Sequence, residues 1–305
     1  MFKAHLRTAL AIAAVCLLSA TMAHAQLVLQ PQLYGGNGGH PNPDGTPLSI
    51  NNGWIVLVDQ NTGAAGPLGH PAGVGKISGL AFDASGHLWA STINGSSSFP
   101  PPLPSSLTSD LVQIDPATGA LIADIGTIKV GGTPIQIADL SVQPGTGVLF
   151  GISASASGDA AAAGNLYTIN TSTAVATLVG PTGDFFGAIA FAPNGTLYAT
   201  TGDLDNMGNI VNTKLKTLNP LNGQTLTAVS TDIFYSALAV RYTDGVIFGG
   251  NGDGFPDPLG SGLFTIDAGT GKGTLIGHPG LNFVGDFDFQ PTLGLDLFLW
   301  FFFSS

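Results

Sequence analysis

The chain has 305 residues, with 44 glycines, 8 basic residues and 19 acidic residues, and its formal net charge is −11. Every acidic residue is an aspartate, and strong helix formers are few, which excludes a coiled coil or a helical bundle. Because 44 % of the residues are hydrophobic, intrinsic disorder is excluded as well. The negative charge argues against nucleic acids and anionic membrane surfaces as partners.

Residues 1–25 have the pattern of a secretory signal peptide. Lys3 and Arg7 form a positively charged region before an apolar stretch, and an Ala-His-Ala cleavage site occupies 23–25. The single cysteine, Cys16, lies within this segment, so the mature chain contains none. We therefore expect a secreted or periplasmic protein that is stabilised by its hydrophobic core and not by disulfides.

Internal repetition dominates the rest of the chain. One half of the repeat is a pair of apolar strands around a tight turn, found at 77–92, 137–153, 186–201 and 235–250, with a partial copy at 284–291. The other half is built around an Asp or Asn turn, found at 54–69, 111–126, 166–180, 215–229 and 263–277. Equivalent positions in successive first halves are 60, 49, 49 and 49 residues apart.

Each full repeat is interpreted as four short strands, named a to d, that Asp-x-x-x-Gly and Pro-Asn-Gly turns connect. Four strands every 50 residues or so are typical of a β-propeller blade, whereas a two-sheet sandwich would not repeat five times so regularly. The predicted fold is all-β, a β-propeller domain over 26–291 with five four-stranded blades, six being the alternative. The a strand at 284–289 is expected to complete the N-terminal blade, whose b strand begins at Leu33.

The b–c loops are long, whereas the a–b and c–d turns are tight. The b–c loops occupy 36–53, 93–109, 153–164, 202–212 and 250–260. In an up-and-down blade these loops and the d–a connections emerge on the same face, which we call the loop face. Its variable material predicts that the loop face carries the function, although tolerated insertions would give the same pattern.

Strand a is expected to be innermost and to line the channel. Asp139 and Asp286 occupy equivalent positions in two blades, where the other three blades have Gly or Ala, and Asp288 shares that side of its strand. Unpaired carboxylates in a confined channel repel each other, which predicts a hard cation such as Ca²⁺ between them. Asn282 and Asp184, nearer the loop face, are further candidate ligands. The alternative is that backbone amides hydrogen-bond the carboxylates.

A second candidate calcium site lies in the loop at 251–257. Asp253 and Asp257 alternate there with glycines, as in the calcium-binding repeats of secreted proteins, because such spacing lets the chain wrap an ion. Ordinary Asp/Gly turns account for the same pattern.

Three histidines fall on the loop-face side of the repeat and are the candidate catalytic residues. His70 and His278 occupy the same repeat position within Gly-His-Pro, and His40 lies in the first b–c loop. A histidine beside a bound metal ion can act as a general base toward water. The alternative is that Gly-His-Pro is only part of the repeat consensus.

Motifs for other chemistries are missing from the sequence. There is no G-x-S-x-G elbow, no P-loop, no dinucleotide fingerprint and no H-E-x-x-H, and the mature chain has no cysteine. Covalent serine or cysteine catalysis is therefore not expected. The apolar tail at 292–305 is too short and contains an Asp, so it does not predict a membrane-spanning helix. A last strand, a sticky tail and a non-native end all remain open for it.

The units L-x-x-I-D-P-x-T-G and G-L-A-F-x-x-x-G-x-L-W-A resemble those of secreted bacterial propellers of the NHL, gluconolactonase and paraoxonase-like type, over about residues 27–291. The resemblance implies a propeller lactonase with Ca²⁺ at the channel centre. It would make Asp139, Asp286 and Asn282 the ligands and His278 or His70 the base. The chain departs from that group in lacking Glu and in having five predicted blades where six are usual.

The sequence thus leaves two functional hypotheses. The first is a secreted, Ca²⁺-dependent hydrolase of lactones or esters, for example acyl-homoserine lactones, acting as a monomer on a small molecule without membrane insertion. The second is a non-catalytic extracellular propeller whose loops bind a glycan or a protein. Aromatic side chains on the loops would favour the second, and the loops offer little beyond Phe99 and Phe255.

Overall fold

The structure is a computed structural model that describes residues 31–38, 53–94, 107–153, 164–183, 185–204, 210–251, 262–279 and 284–291. All regular secondary structure in these ranges is β-strand. None of them contains a helix of the length and apolarity needed to cross a membrane. The predicted signal peptide at 1–25 and the apolar tail at 292–305 lie outside the described residues.

Twenty-two strands are numbered in chain order. The first eleven are β1 (Leu33–Asn37), β2 (Ile55–Val58), β3 (Ala65–Gly69), β4 (Ile77–Phe82), β5 (Leu88–Thr92), β6 (Asp110–Ile114), β7 (Leu121–Thr127), β8 (Lys129–Val130), β9 (Thr133–Pro134), β10 (Ile137–Val142) and β11 (Leu149–Ser153). The others are β12 (Asn165–Ile169), β13 (Ala176–Pro181), β14 (Phe185–Phe191), β15 (Leu197–Leu204), β16 (Ile210–Leu218), β17 (Thr225–Ser230), β18 (Ala237–Val240), β19 (Ile247–Asn251), β20 (Gly262–Ile266), β21 (Gly273–Gly277) and β22 (Val284–Phe289).

Twenty of these strands form the five antiparallel blades that the repeat predicts. From the inside outward the blades are β22-β1-β2-β3, β4-β5-β6-β7, β10-β11-β12-β13, β14-β15-β16-β17 and β18-β19-β20-β21. The innermost strands contact one another in the closed cyclic order β22, β4, β10, β14, β18. The predicted fold class, an all-β five-bladed propeller, is therefore confirmed.

Ring closure joins the two ends of the described chain in the first blade. Strand β22 pairs antiparallel with β1, with Leu33 opposite Phe289 and Gly35 opposite Phe287. This is the closure expected from the a strand at 284–289 and the b strand that begins at Leu33. It gives β22 a hydrogen-bonded neighbour, so no unpaired inner strand is left where the chain ends meet.

The hydrophobic core is divided among the five interfaces between adjacent blades, with one cluster of buried side chains at each. Three of these interfaces contain an edge-to-face aromatic pair with ring centroids 5.0–5.2 Å apart. The pairs are Tyr34–Phe82, Phe150–Phe191 and Phe248–Phe289.

The one long spacing in the repeat, 60 residues where the others are 49, has a local cause. The small hairpin β8–β9 is inserted there, between the second and third blades.

Close backbone contacts lock neighbouring blades together on their outer sides. In the first blade the c–d turn residue Gly63, at φ +74°, lies against Gly277 at the end of β21, and a Cβ on Gly63 would lie 2.7 Å from the Gly277 carbonyl carbon. A Cβ on Gly277 would overlap the carbonyl oxygen of Thr62. The same contact recurs at two other blade interfaces, in the pairs Gly119/Gly69 and Gly223/Gly180.

A pair of alanine substitutions separates this contact from the backbone preference of glycine. Gly86 also has a positive φ, +82°, but nothing lies within 4 Å of its Cβ position. Gly86→Ala should cost about 1–2 kcal/mol of unfolding free energy, the penalty of the left-handed conformation. Gly63→Ala should cost about 1–3 kcal/mol more, because the blade contact must open as well. Chemical denaturation measures the unfolding free energy of both variants. Equal losses in the two would contradict the close contact between Gly63 and Gly277.

Candidate functional site

The innermost strand of the first blade reaches the second blade through two aspartates. The N–H of Leu80 on β4 donates to Asp286 Oδ2 at 2.5 Å, and the N–H of Phe82 donates to Asp288 Oδ2 at 2.6 Å. An innermost strand has a sheet partner on only one side, so these N–H groups would otherwise lack an acceptor. The carboxylates thus take the place of a missing strand.

The third and fourth blades repeat this arrangement in the same two layers. The N–H of Ile189 on β14 donates to Asp139 Oδ2 at 2.6 Å, and the N–H of Phe191 donates to Ser141 Oγ at 2.9 Å. Asp139 Oδ1 accepts a further bond from the N–H of Leu140 at 2.6 Å. Backbone N–H groups therefore hydrogen-bond the carboxylates of Asp139 and Asp286, which is the alternative arrangement considered from the sequence.

The second blade has no side chain at the position that Asp139 and Asp286 occupy in their own blades. Gly79 on β4 occupies the equivalent position, and a Cβ there would lie 2.7 Å from the Leu140 nitrogen and 2.9 Å from the Asp139 carbonyl carbon. Neither aspartate has any exposed surface. Each carboxyl shifts the pKa of the other through the hydrogen bond between them.

Burial dominates the electrostatics of this pair. It raises the pKa of Asp139 well above the ordinary value, and the negative charge of Asp286 raises it further. Burial also raises the pKa of Asp286 to about 8, in spite of hydrogen bonds from Asp139 and from backbone N–H groups. The pKa of Asp288, one layer farther from the loop face, is raised to about 7 by the same cause.

The described residues at the centre do not fit a calcium ion. Ca²⁺ takes six to eight oxygen ligands, whereas three of the four carboxylate oxygens of Asp139 and Asp286 already accept backbone N–H bonds. Only Asp286 Oδ1 lacks a hydrogen-bond donor. Within the described ranges no three His, Cys, Asp or Glu side chains come together as a metal-binding group.

The two described candidate histidines lie on the outer part of the propeller, far from these aspartates. His70 follows β3, the outermost strand of the first blade, and its ring lies 5.8 Å from that of Trp54. Three inter-strand spacings separate β3 from β22, which is about 14 Å. His278 follows β21 in the same way in the fifth blade. The glycine before each histidine makes a blade-to-blade contact.

Other predicted site residues cannot be placed. His40, Asp184, Asp253, Asp257 and Asn282 lie outside the described residues. The second calcium site and the third histidine therefore stay predictions from the sequence.

A set of asparagines that sequence reasoning missed stands at the bases of the b–c loops, one in each blade. Three of them close the base from the end of strand b. Asn37 exchanges backbone hydrogen bonds with Gly53 and Trp54, Asn94 Nδ2 donates to Asp110 Oδ2 at 2.7 Å, and Asn251 Oδ1 accepts the N–H of Gly262 at 2.6 Å.

The other two asparagines close the base from strand c. The N–H of Asn165 donates to Ser153 Oγ at 3.0 Å, and Asn212 Nδ2 donates to Asp203 Oδ2 at 3.0 Å. The signal for all five was present in the sequence as an Asn at the end of each b strand or the start of each c strand. The five loops of the loop face thus each have an asparagine at the base, of which Asn37 is completely buried and the other four are at least partly exposed.

Comparisons with known proteins give likenesses of structure only, since neither a family model nor a curated protein sequence matches the chain. A protein of unknown function from Bacteroides caccae is 14 % identical, with TM-score 0.47, over 86 % of this chain and 99 % of that one. A gluconolactonase from Xanthomonas campestris is 14 % identical, with TM-score 0.44, over 86 % and 84 %. The PQQ-bound aldose sugar dehydrogenase of Streptomyces coelicolor is 16 % identical, with TM-score 0.44, over 79 % and 80 %. Likeness at this level carries no argument about activity.

The role of Gly79 at the centre can be tested by adding one methyl group. Gly79→Ala should lower the unfolding free energy by about 1–3 kcal/mol, because the Cβ meets the backbone of β10 and must push it away. Gly66→Ala in the outermost strand β3 is the matched control, since nothing lies within 4 Å of its Cβ position. The control should be neutral or stabilising by about 0.5 kcal/mol. Denaturant titration of both variants measures the difference, and two neutral substitutions would refute the close packing.

Proposed function

We propose that the protein binds a small neutral molecule of the lactone, ester or sugar class on its loop face and not in the central channel. The observation that carries this proposal is the ring of five loop bases, each with an asparagine. At the centre, by contrast, Asp139 and Asp286 are completely buried and bonded to backbone N–H groups. A ligand that reached them would have to separate the innermost strands.

The chemistry of the loop bases suits a neutral ligand. A side-chain amide both donates and accepts hydrogen bonds, so it can bind the carbonyl and hydroxyl groups of lactones and sugars. Hydroxyl groups adjoin the asparagines: Ser153 Oγ accepts the backbone N–H of Asn165 at 3.0 Å, and Thr92 Oγ1 donates to Asn94 Oδ1 at 3.4 Å. Rigid strands hold these groups while the loops vary, which is a common arrangement for ligand recognition.

Hydrolysis of the bound lactone or ester is the second candidate function. The observation that favours it is the equivalent placement of His70 and His278 after the outermost strands of two adjacent blades, on the loop-face side. A neutral imidazole there can take a proton from water as the water attacks the ligand carbonyl. The ring then opens to a hydroxy acid. Dependence of such an activity on Ca²⁺ remains a prediction that concerns residues outside the described ranges.

Binding is tested by calorimetric titration with a panel of sugar lactones, acyl-homoserine lactones and the matching open hydroxy acids. At least one compound should bind the wild type, and Asn251→Ala should weaken it at least tenfold, because the loop after β19 loses the bond to Gly262. Asn222→Ala is the control: its side chain bonds only a c–d turn on the opposite face, through the N–H of Gln224. No binding, or equal losses in the two variants, would contradict the loop-face proposal.

The same panel separates binding from hydrolysis. Turnover that falls at least tenfold in His278→Ala or His70→Ala, with binding retained, is the result expected of a lactonase. Binding without turnover by the wild type would leave the ligand-binding function and reject the hydrolase. Repeating the assay with a chelator tests the metal requirement separately.

A further inference from the structure

The centre of the propeller contains an interaction that neither binding nor hydrolysis on the loop face requires. Asp139 and Asp286 come from the third and first blades, have no exposed surface, and interact through their carboxyl groups. Asp286 Oδ1 is a buried acceptor without a donor. A buried acceptor of this kind costs about 1–3 kcal/mol, and more when it is charged.

Within the described ranges, the charged groups that act on the pair are carboxylates and not cations. The strands packed against them, β4, β14 and β18, have no titratable side chain. Titratable groups on the neighbouring elements are Asp288 on β22 itself, Tyr34 on β1 and Tyr242 after β18. Burial raises the pKa of both tyrosines, and nearby aspartates raise it further.

Two basic residues flank the packed strands. Lys76, before β4, has its pKa lowered by burial. Arg241, directly after β18, is paired with Asp244 and bonded to Gln60.

We propose that Asp139 and Asp286 share one proton across the centre of the propeller, and that this proton, and not a metal ion, neutralises the pair. The proton supplies the donor that Asp286 Oδ1 lacks, while the other three oxygens keep their backbone N–H bonds. It also leaves a single negative charge, which those three N–H groups solvate. The two side chains then act as one titrating unit that ties the first blade to the third.

The stability of the fold should depend on pH, because the buried pair has a raised pKa. An unfolded Asp ionises near pH 4, whereas burial and the charge of Asp286 raise the pKa of Asp139 well above that value in the folded pair. The stabilisation is therefore complete below about pH 4 and is lost as the pH rises from there through the higher pKa of the folded pair. Within that window the folding equilibrium constant should fall tenfold per pH unit for each retained proton. Turn aspartates such as Asp267 have lowered pKa values, so their effect is confined to pH values below 4.

The experiment measures the protons released on unfolding at pH 6.5, with an indicator dye in weak buffer, for the wild type and for Asp286→Asn. The wild type should release at least one proton, because both carboxyls ionise in the unfolded chain. Asp286→Asn should release about one fewer, since an amide at this position donates to Asp139 without needing a proton. Between pH 5 and pH 8 the melting temperature of Asp286→Asn should also fall much less than that of the wild type.

Asp267→Asn is the matched control, because it removes the same charge from an exposed turn where two other blades already have Asn170 and Asn219. It should release as many protons as the wild type. If Asp286→Asn fails to fold, Asp139→Asn gives the comparison, because proton release by the wild type also includes a contribution from Asp288, whose pKa burial raises to about 7. No proton release by the wild type, or a melting temperature that Ca²⁺ raises and a chelator lowers at pH 6.5, would overturn the proposal. A negative result in the ligand panel would leave these readouts unaffected.

Discussion

The structure depends on how the innermost strands satisfy the N–H groups on their open edges. A blade gives its inner strand a sheet partner on one side only, and Asp139 and Asp286 beside that open edge have no exposed surface. Those two carboxylates accept the exposed N–H groups of the next blade at 2.5–2.6 Å. The polar side chains at the centre are thus part of the framework that holds the blades in a ring.

This constraint gives particular glycines and aspartates their places. At the position in the second blade that is equivalent to Asp139 and Asp286, Gly79 lets β4 and β10 approach closely. On the outer side, Gly63 and Gly277 let a turn of one blade approach the last strand of another. The rest of the aspartates whose contacts are described mostly serve turns, as where Asp267 accepts three hydrogen bonds within its own turn.

Much of this architecture could be predicted from the sequence, because a propeller repeats its strand pattern. The repeat gave the five blades, the closing strand at 284–289 and the equivalence of Asp139 and Asp286. It could not give the acceptor role of those aspartates, since the donors are backbone N–H groups of other blades and no residue type marks them. The expectation of calcium rested on the same two carboxylates, and it stays a prediction. The equivalent positions of His70 and His278 were likewise visible, but their distance from β22 depends on the order of strands within a blade.

The most direct test of the central pair is a carbon-13 NMR titration of the aspartate side-chain carboxyls from pH 3 to pH 10. If Asp139 and Asp286 share a buried proton, their carboxyl signals should stay unchanged through the range where the turn aspartates titrate, and should move together only at a higher pH. Titration of both signals below pH 5, like those of Asp59 and Asp267, would contradict the account.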